Sequence, residues 1–184
     1  RHLSDEVWDQ ADAIFEGKGE TGTWIENKPI NQPWPVNFGD ITLLARLTPF
    51  KHTGIFSEQA ANWTWLTDQI KNFTPSDGGK PKILNLFAYT GGASIALAKL
   101  GCFVTHVDAS KPSIGWAKEN QVLNKIPADS IRWILDDAIK FVTREIKRGG
   151  EYDGIIMDPP AFGHSPTGKT WKFNQDLPYL LELC

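Results

Sequence analysis

The chain has 184 residues, of which 41% are hydrophobic and 22% are charged, a composition that is ordinary for one globular domain with a small appendage. No apolar run approaches the roughly 20 residues of a membrane helix, and residues 1–5 do not resemble a signal peptide, so a cytoplasmic protein without a membrane contact is expected. The net charge of −3 argues weakly against a large basic surface. Two distant cysteines and four scattered histidines predict neither a disulfide framework nor a metal site.

The first fifty residues differ from the rest in their tryptophans and turn residues. Five of the eight tryptophans fall within the first 65 residues. Short strands are predicted over residues 21–25 and 41–47, with proline, glycine and asparagine between them. Because tryptophan buries much apolar area, a small unit can build its core from it. The sequence therefore predicts a small β-rich N-terminal subdomain over residues 1–50.

Residues 51–80 are predicted to connect this subdomain to the rest of the chain. A helix is expected to begin with Ser57 as its N-cap, because apolar residues follow at helical spacing, and to end by Thr74 and Pro75. Residues 75–81 then read Pro-Ser-Asp-Gly-Gly-Lys-Pro, which predicts a break between two structural units.

From residue 81 onward, strand patterns alternate with helix patterns. The predicted strands are 82–87, 102–108, 131–135 and 152–158, and the predicted helices are 93–100, 112–124, 138–147 and 177–184. This alternation predicts a parallel sheet flanked by helices, a Rossmann-like α/β fold over residues 81–184. Sheets of this type normally continue past four strands, so we expect a domain that is truncated after its fourth strand.

The first motif with chemical meaning is the turn after the first of these strands. It reads Leu-Asn-Leu-Phe-Ala-Tyr-Thr-Gly-Gly-Ala-Ser over residues 84–94. In a doubly wound sheet, nucleotide-like ligands bind here, and glycines let the backbone approach them. The Gly-x-Gly-x-x-Gly pattern of dinucleotide enzymes is absent, and the adjacent Gly91 and Gly92 better suit the phosphate-free amino-acid end of S-adenosylmethionine. A tight turn without a ligand is the alternative.

Acidic residues follow the next two strands. Asp108 ends the second strand, where a carboxylate can accept hydrogen bonds from both hydroxyls of an adenosine ribose. Asp136 and Asp137 follow the third strand. Asp137 directly precedes a helix and is therefore the better candidate to accept a hydrogen bond from the adenine amino group. The alternative for each of these acids is to cap the helix that follows it.

The most specific motif is the corner Asp158-Pro159-Pro160, which is followed by Phe162. Each proline keeps the preceding residue extended and has no N–H of its own. The Asp158 carboxylate and the Pro159 carbonyl are therefore expected to face the cleft, where they can hold an exocyclic amino group for methyl transfer. Phe162 can stack on a planar base. Asp158, Pro159 and Phe162 are the predicted catalytic residues; a plain turn with a core phenylalanine is the alternative.

A basic and aromatic stretch comes after this corner. His164, Lys169, Trp171 and Lys172 lie in a predicted loop that contains glycine and proline. Such a loop can hold a phosphate backbone beside an active site. A solvated loop without a ligand fits the same residues.

Together these segments resemble the class I methyltransferases related to the bacterial 23S ribosomal RNA cytosine-5 methyltransferases. The resemblance rests on residues 51–59 (Lys-His-Thr-Gly-Ile-Phe-Ser-Glu-Gln), 85–92, 107–110, 117–120 with Asn124, 135–138 and 157–162. It implies S-adenosylmethionine as cofactor, RNA as substrate, and a segment 53–59 that folds over the cofactor. The candidate cofactor contacts are Phe56, Gln59, Asn85, Phe87, Tyr89, Thr90, Gly91, Gly92, Asp108, Ala109, Ser110, Asn120, Asp136, Asp137, Ala138 and Asp158.

The sequence departs from that family in two respects. Cytosine-5 enzymes use a cysteine that adds to the pyrimidine ring, and in the related enzymes it lies beyond the fourth strand. Cys102 enters an apolar strand and is expected in the core, and Cys184 is a poor candidate at the end of a predicted helix. The RNA-binding β domain that is common in the family is not recognisable in residues 1–50.

The sequence therefore predicts an S-adenosylmethionine-dependent methyltransferase that acts on a base in RNA, with ribosomal RNA favoured. One alternative is a nicotinamide-dependent oxidoreductase, which the missing third glycine disfavours. Another is a non-catalytic RNA-binding or cofactor-sensing protein with the same fold. The sequence predicts neither the acceptor atom nor the oligomeric state.

Overall fold

The computed structural model describes residues 5–19, 21–164 and 170–184. Its N-terminal third contains α1 (Asp5–Asp9), β1 (Ala13–Lys18), β2 (Thr21–Glu26), β3 (Trp34–Phe38), β4 (Ile41–Ala45), a 3₁₀ turn (Ser57–Gln59) and α2 (Ala60–Lys71). The rest contains β5 (Lys82–Leu86), α3 (Gly92–Lys99), β6 (Phe103–Asp108), α4 (Lys111–Leu123), a 3₁₀ turn (Ala128–Ser130), β7 (Ile131–Leu135), α5 (Ala138–Lys147), β8 (Gly154–Met157), β9 (Phe162–His164), β10 (Thr170–Lys172) and α6 (Phe173–Leu183). Among these described helices, none has the length and apolar character needed to cross a membrane.

Four strands form the predicted parallel sheet, in the order β7-β6-β5-β8. The register places Leu86 of β5 opposite Val107 of β6 and Met157 of β8. The carboxyl ends of these strands therefore lie at one edge of the sheet. In folds of this kind, ligands bind at that edge, and the predicted acids and the proline corner all follow strand ends there.

Hydrophobic clusters cover both faces of the sheet. One cluster contains Ile83 of β5 with Ile95 and Leu97 of α3, and the other contains Leu84 of β5 with Phe141 of α5. Successive residues of a strand point to opposite faces, which explains why neighbours in β5 join different clusters. The sheet is thus the middle layer of a helix–sheet–helix arrangement, as the strand and helix alternation predicts.

The strands of the N-terminal third form two antiparallel hairpins, β1–β2 and β3–β4. In the first, Phe15 and Trp24 pack edge to face with ring centroids 5.2 Å apart. The second contributes Ile41 and Leu43 to the same cluster as Ile83 and Ile95, so β4 packs directly on the Rossmann-like core. The division into units 1–50, 51–80 and 81–184 stays a prediction.

Several local predictions are wrong. Ser57 is not the N-cap of α2: it begins a 3₁₀ turn, and the helix follows Gln59, which makes no side-chain capping hydrogen bond. The stretch after the proline corner is not a plain loop, because β9 and β10 pair as an antiparallel hairpin. The last helix begins at Phe173 rather than residue 177. Asp176 accepts a hydrogen bond from the Lys172 N–H at 2.7 Å and so stabilises this earlier start.

His106 lies fully buried in β6 within a short chain of polar side chains. Asn85 Nδ2 donates to Ser94 Oγ at 2.9 Å, and Ser94 Oγ lies 3.0 Å from His106 Nδ1. Burial lowers the pKa of His106 from 6.5 to about 3, although the Tyr89 backbone opposes the shift. His106 is therefore neutral in the folded protein at every pH above that value.

This histidine is expected to make the fold sensitive to acid. Because its pKa is lower in the folded than in the unfolded state, its contribution is complete above pH 6.5 and is lost as the pH falls. Between pH 7.5 and 4.5 the expected loss from His106 alone is about 2–3 kcal/mol. Urea unfolding at both pH values measures this loss in the free energy of unfolding. The variant His106→Asn should lose less stability over the same interval; an unchanged loss would contradict the assignment.

Candidate active site

A cavity of about 870 Å³ opens at the carboxyl edge of the sheet, within the size range of small-molecule sites. Its walls come from the turn after β5, from the ends of β6, β7 and β8, and from the 3₁₀ turn and α2, which cover one side. Elements far apart in sequence thus meet around one cavity, because parallel strands place all of their carboxyl ends together.

The turn between β5 and α3 holds an unusual backbone. Phe87 and Tyr89 both have left-handed φ angles, 55° and 49°, a conformation that costs non-glycine residues about 1–2 kcal/mol each. Gly91 also has a positive φ, 89°, and serves as the N-cap of α3. Such strain collects at functional sites when surrounding bonds hold it in place. Here the Tyr89 N–H is held by the Asp108 carboxylate.

Asp108 joins the ends of two strands through its two oxygens. Oδ2 accepts a hydrogen bond from the Tyr89 N–H at 2.7 Å, and Oδ1 accepts one from the Ser110 N–H at 2.8 Å. Burial raises the pKa of this carboxyl, while the two N–H groups partly oppose the rise. A carboxylate oxygen can accept more than one hydrogen bond, so both oxygens retain the capacity to bind hydroxyls in the cavity.

The two acids after β7 both have protein partners. Asp137 is the N-cap of α5, and its side chain accepts a hydrogen bond from the Lys140 N–H at 3.0 Å. Asp136 accepts one from the Asp137 N–H at 2.9 Å and pairs with Arg144. The capping role of Asp137 is thereby confirmed. Both acids also line the cavity, so the predicted contact with adenine stays a prediction.

The proline corner is bonded to residues that cover one side of the cavity. Residues 53–59 of this cover are called the covering segment. Gln59 Nε2 donates to Asp158 Oδ2 at 3.0 Å, and Asn62 Nδ2 of α2 donates to Gln59 Oε1 at 2.7 Å. This relay of side chains crosses the cavity wall from α2 to the end of β8. It orients the Asp158 carboxylate, which is otherwise exposed at the mouth.

The hairpin after the corner is anchored by Trp171. Its Nε1 donates to the Pro160 carbonyl at 2.7 Å, and its ring packs on Phe87 with centroids 4.7 Å apart. Trp171 is only 7% exposed and lines the cavity, and its ring fastens the corner to the turn after β5. The role of this stretch in holding a nucleic-acid backbone stays a prediction. Lys169 and the side chain of His164 lie outside the described residues.

The cavity gathers almost all of the predicted site residues. Its walls contain every candidate cofactor contact except Asn120, namely Phe56, Gln59, Asn85, Phe87, Tyr89, Thr90, Gly91, Gly92, Asp108, Ala109, Ser110, Asp136, Asp137, Ala138 and Asp158, and they also contain Pro159. Asn120 is fully buried behind the turn. Phe162 does not line the cavity and is 56% exposed in β9. The individual cofactor contacts and catalytic roles stay predictions.

Sequence reasoning missed the side chains that α2 and the segment before it contribute. Trp63, Trp65, Asn62 and His52 all line the cavity. The residue that could have indicated Trp63 is Gly92, which lies in another part of the chain and leaves room for the Trp63 ring. A Cβ on Gly92 would lie 2.3 Å from the Trp63 ring, so a glycine is needed there for packing whether or not a ligand is present.

Adding one methyl group at Gly92 is therefore expected to destabilise the protein. Gly92→Ala should lower the free energy of unfolding by about 1–3 kcal/mol, the usual cost of overpacking. Gly115 is the matched control, because it also lies in a helix and a Cβ there would meet nothing within 4 Å. Gly115→Ala should raise stability by about 0.5–1 kcal/mol. Equal effects of the two substitutions in urea unfolding would contradict this packing.

The charge of the cavity walls is one-sided. The acidic side chains that line it are Glu58, Asp108, Asp136, Asp137 and Asp158. In the part of the chain that the structure describes, no lysine or arginine lines it. Such walls favour a cationic ligand and disfavour a pyrophosphate. A sulfonium nucleoside fits this requirement, whereas a nicotinamide dinucleotide does not.

Neither cysteine is arranged as a nucleophile. Cys102 is 1% exposed, and burial raises the pKa of its thiol to about 11, so it is protonated at neutral pH. Neither Cys102 nor Cys184 lines the cavity. Since the thiolate is the reactive form, the described residues contain no cysteine placed to add to a pyrimidine ring.

The parallel sheet, the strained turn and the acid after β6 together define a Rossmann-like, nucleotide-binding class of α/β protein. Comparison with known proteins narrows this class. The sequence profile of the S-adenosylmethionine-dependent methyltransferases matches residues 18–184, and the chain belongs to that family. The predicted family, α/β fold and cofactor are thereby confirmed, and the oxidoreductase alternative is wrong.

Individual relatives agree with this assignment. The crystal structure of a SAM-dependent methyltransferase from Agrobacterium tumefaciens matches with a TM-score of 0.91 and 45% identity, over 99% of this chain and 57% of that one. Ribosomal RNA large subunit methyltransferase K/L of Shewanella sp. MR-4 is 40% identical over 128 residues, 65% of this chain and 16% of that protein. Ribosomal RNA large subunit methyltransferase I of Enterobacter sp. 638 is 37% identical over 82 residues, 44% of this chain and 21% of that protein. The chain spans between 16% and 38% of the length of such curated relatives.

Proposed function

We propose that this chain binds S-adenosylmethionine and transfers its methyl group to a base in RNA, with ribosomal RNA as the favoured substrate. The observation that carries the proposal is the acidic cavity, which Asp108 and Asp158 line from the ends of two different strands. In this proposal Asp108 holds the ribose of the cofactor and Asp158 orients the acceptor. The names of the curated relatives support ribosomal RNA as the substrate class.

The residues present fit the proposed cofactor. Asp108 would hold the ribose hydroxyls, Asp137 would accept from the adenine amino group, and the turn 85–92 would hold the methionine end. When bound, the cofactor supplies a methyl group on a sulfonium, which is already an activated leaving group. The protein is then required mainly to position the acceptor and exclude water.

The acceptor side of the cavity is formed by the proline corner. Asp158 and the Pro159 carbonyl offer hydrogen-bond acceptors, and the Gln59 side chain holds the Asp158 carboxylate in a fixed orientation. Phe162 stands exposed on β9, just after the corner. An exposed aromatic ring in this place can stack on a base that has left its helix.

The direct test is methyl transfer from tritiated S-adenosylmethionine by the full-length protein. The matched substrates are two RNA samples from the organism that makes this protein. One sample comes from cells in which the gene for the protein is deleted, and the other comes from cells that carry it. We expect nuclease-sensitive label in the first RNA and much less in the second, whose sites are already methylated. Label only in protein or in small molecules would overturn RNA as the acceptor. No transfer despite intact cofactor binding would favour the non-catalytic alternative.

A further inference from the structure

Helix α4 takes the place of a strand beside β4. Trp116 and Asn120 of α4 and its C-cap residue Asn124 are spaced four apart and therefore share one helix face. Asn124 accepts a hydrogen bond from the Thr42 N–H at 2.9 Å and donates to the Thr42 carbonyl at 2.6 Å. Asn120 accepts one from the Leu44 N–H at 2.9 Å, and Trp116 Nε1 donates to the Leu44 carbonyl at 3.0 Å. Side chains of one helix thus satisfy both backbone groups of two strand residues.

Asn120 differs from Asn124 in having a second partner near the cavity. Its Nδ2 donates to the Thr90 carbonyl at 2.9 Å, in the turn after β5. The Thr90 hydroxyl in turn donates to the Gly54 carbonyl at 2.6 Å. A continuous path of hydrogen bonds therefore runs from α4 through the turn to the segment that covers the cavity.

The covering segment has contacts with the rest of the protein near both of its ends. At Gly54 the backbone has a φ of 87° and a Cβ would lie 2.1 Å from the Trp116 ring, so helix α4 packs directly against it. Farther along, Phe56 packs on Tyr89 with ring centroids 5.6 Å apart, and Gln59 reaches Asp158. Between these anchors the segment forms one wall of the cavity.

We infer that Asn120 is a positioning residue that holds the turn after β5 in place relative to β4 and, through Thr90, fixes where the covering segment lies. It lies outside the cavity and acts through Thr90 and Gly54. Only a side chain that donates and accepts at once can bond the Leu44 N–H and the Thr90 carbonyl together, and a primary amide does so. The inference depends on the proposed function only in that the cavity is taken to bind S-adenosylmethionine.

Without this amide, the Thr90 carbonyl and the Leu44 N–H lose their hydrogen-bond partner. Because burying unpaired polar groups costs free energy, the chain is expected to open locally so that water can reach them. The expected result is a covering segment that opens more often. For Asn120→Ala we expect the affinity for S-adenosylhomocysteine to fall about tenfold, the equivalent of about 1.4 kcal/mol. We expect the change mainly in the dissociation rate.

Asn124→Ala is the matched control, because it removes two hydrogen bonds to Thr42 of β4 and one to the Asn120 backbone carbonyl but none to the turn after β5. A purely structural role would lower the melting temperature in both variants and leave the affinity unchanged in both. The inference predicts that only Asn120→Ala weakens binding. If Asn120→Ala does not fold, Thr90→Val removes the bond to Gly54, and amides of residues 53–59 should then exchange faster in the ligand-free protein. Exchange is the readout for this variant because Thr90 also lines the cavity.

Hydrogen exchange of the ligand-free protein separates this inference from the proposed function. In Asn120→Ala, amides of residues 53–59 should exchange at least about tenfold faster than in wild type, by the same loss of stabilisation, and in Asn124→Ala they should not. Equal exchange in both variants would overturn the inference even if wild type binds S-adenosylhomocysteine. Absence of binding by wild type would overturn the proposed function, and the exchange comparison would still decide the role of Asn120.

Discussion

Asp108→Ala is expected to weaken the binding of S-adenosylhomocysteine by about 100-fold or more, because two hydrogen bonds to a charged carboxylate are each worth roughly 1.5–3 kcal/mol. The same substitution frees the N–H groups of Tyr89 and Ser110. The strained turn should therefore also lose order, which adds to the loss of affinity. Calorimetric titration of wild type and variant measures the effect.

Two further variants separate the ligand contact from the support of the turn. Asp129→Ala removes an exposed carboxylate on a surface turn and should bind like wild type. Asp108→Asn retains one oxygen acceptor but replaces the other with an N–H donor, so it should lie between wild type and Asp108→Ala. An Asp108→Ala protein that remains folded and binds within a few-fold of wild type would refute the ribose assignment.

Asp158→Ala is expected to lower kcat for RNA methylation by about 100-fold or more, the cost of losing the orientation of a reacting group. The affinity for S-adenosylhomocysteine should change much less, because the proposed contact is with the acceptor. Single-turnover methyl transfer with saturating cofactor measures the effect on the chemical step.

Gln59→Ala shows whether the carboxylate itself acts or only its hydrogen bond to the covering segment. If Asp158 orients the acceptor, Gln59→Ala should lower kcat far less than Asp158→Ala. If the two variants lose activity equally, Asp158 serves only to hold Gln59, and the acceptor must be oriented by another group. Asp68→Ala on the exposed face of α2 is the neutral control.

Features set by local periodicity could be predicted from the sequence. The parallel strands and the acids at their ends follow from the alternation of strand and helix patterns and from the rule that ligands bind where such strands end. Asp108 and Asp158 were located in this way, and the cavity contains both. The acids also have local partners, since Asp137 caps the helix that begins one residue later.

Features set by contacts between distant residues could not be predicted in this way. Asn120 bonds to Leu44, 76 positions away, and to Thr90, 30 positions away, and no local pattern indicates either partner. Its match to the family motif suggested a cofactor contact, whereas the structure uses its amide inside the core. Gly92 likewise matches the family motif and was predicted to bind the cofactor. In the structure, Trp63 of another helix fills the space beside it.

The burial of Trp171 shows a further limit of reading residue types alone. A tryptophan between lysines in a glycine-containing stretch has the composition of a nucleic-acid contact. Its indole N–H instead bonds to the Pro160 carbonyl, and its ring covers Phe87. Composition indicated an aromatic function near the active site. The structure adds that this ring holds the proline corner against the turn after β5 while it lines the cavity.

The most direct test of the account is calorimetric titration of the full-length protein with S-adenosylhomocysteine and, in parallel, with NADH. The proposed ribose contact with Asp108 should give micromolar affinity for the first. Acidic walls without lining lysine or arginine in the described residues should leave the pyrophosphate of the second without measurable binding. Tighter binding of NADH, or no binding of S-adenosylhomocysteine by a protein that is shown to be folded, would contradict the assignment of this cavity to S-adenosylmethionine.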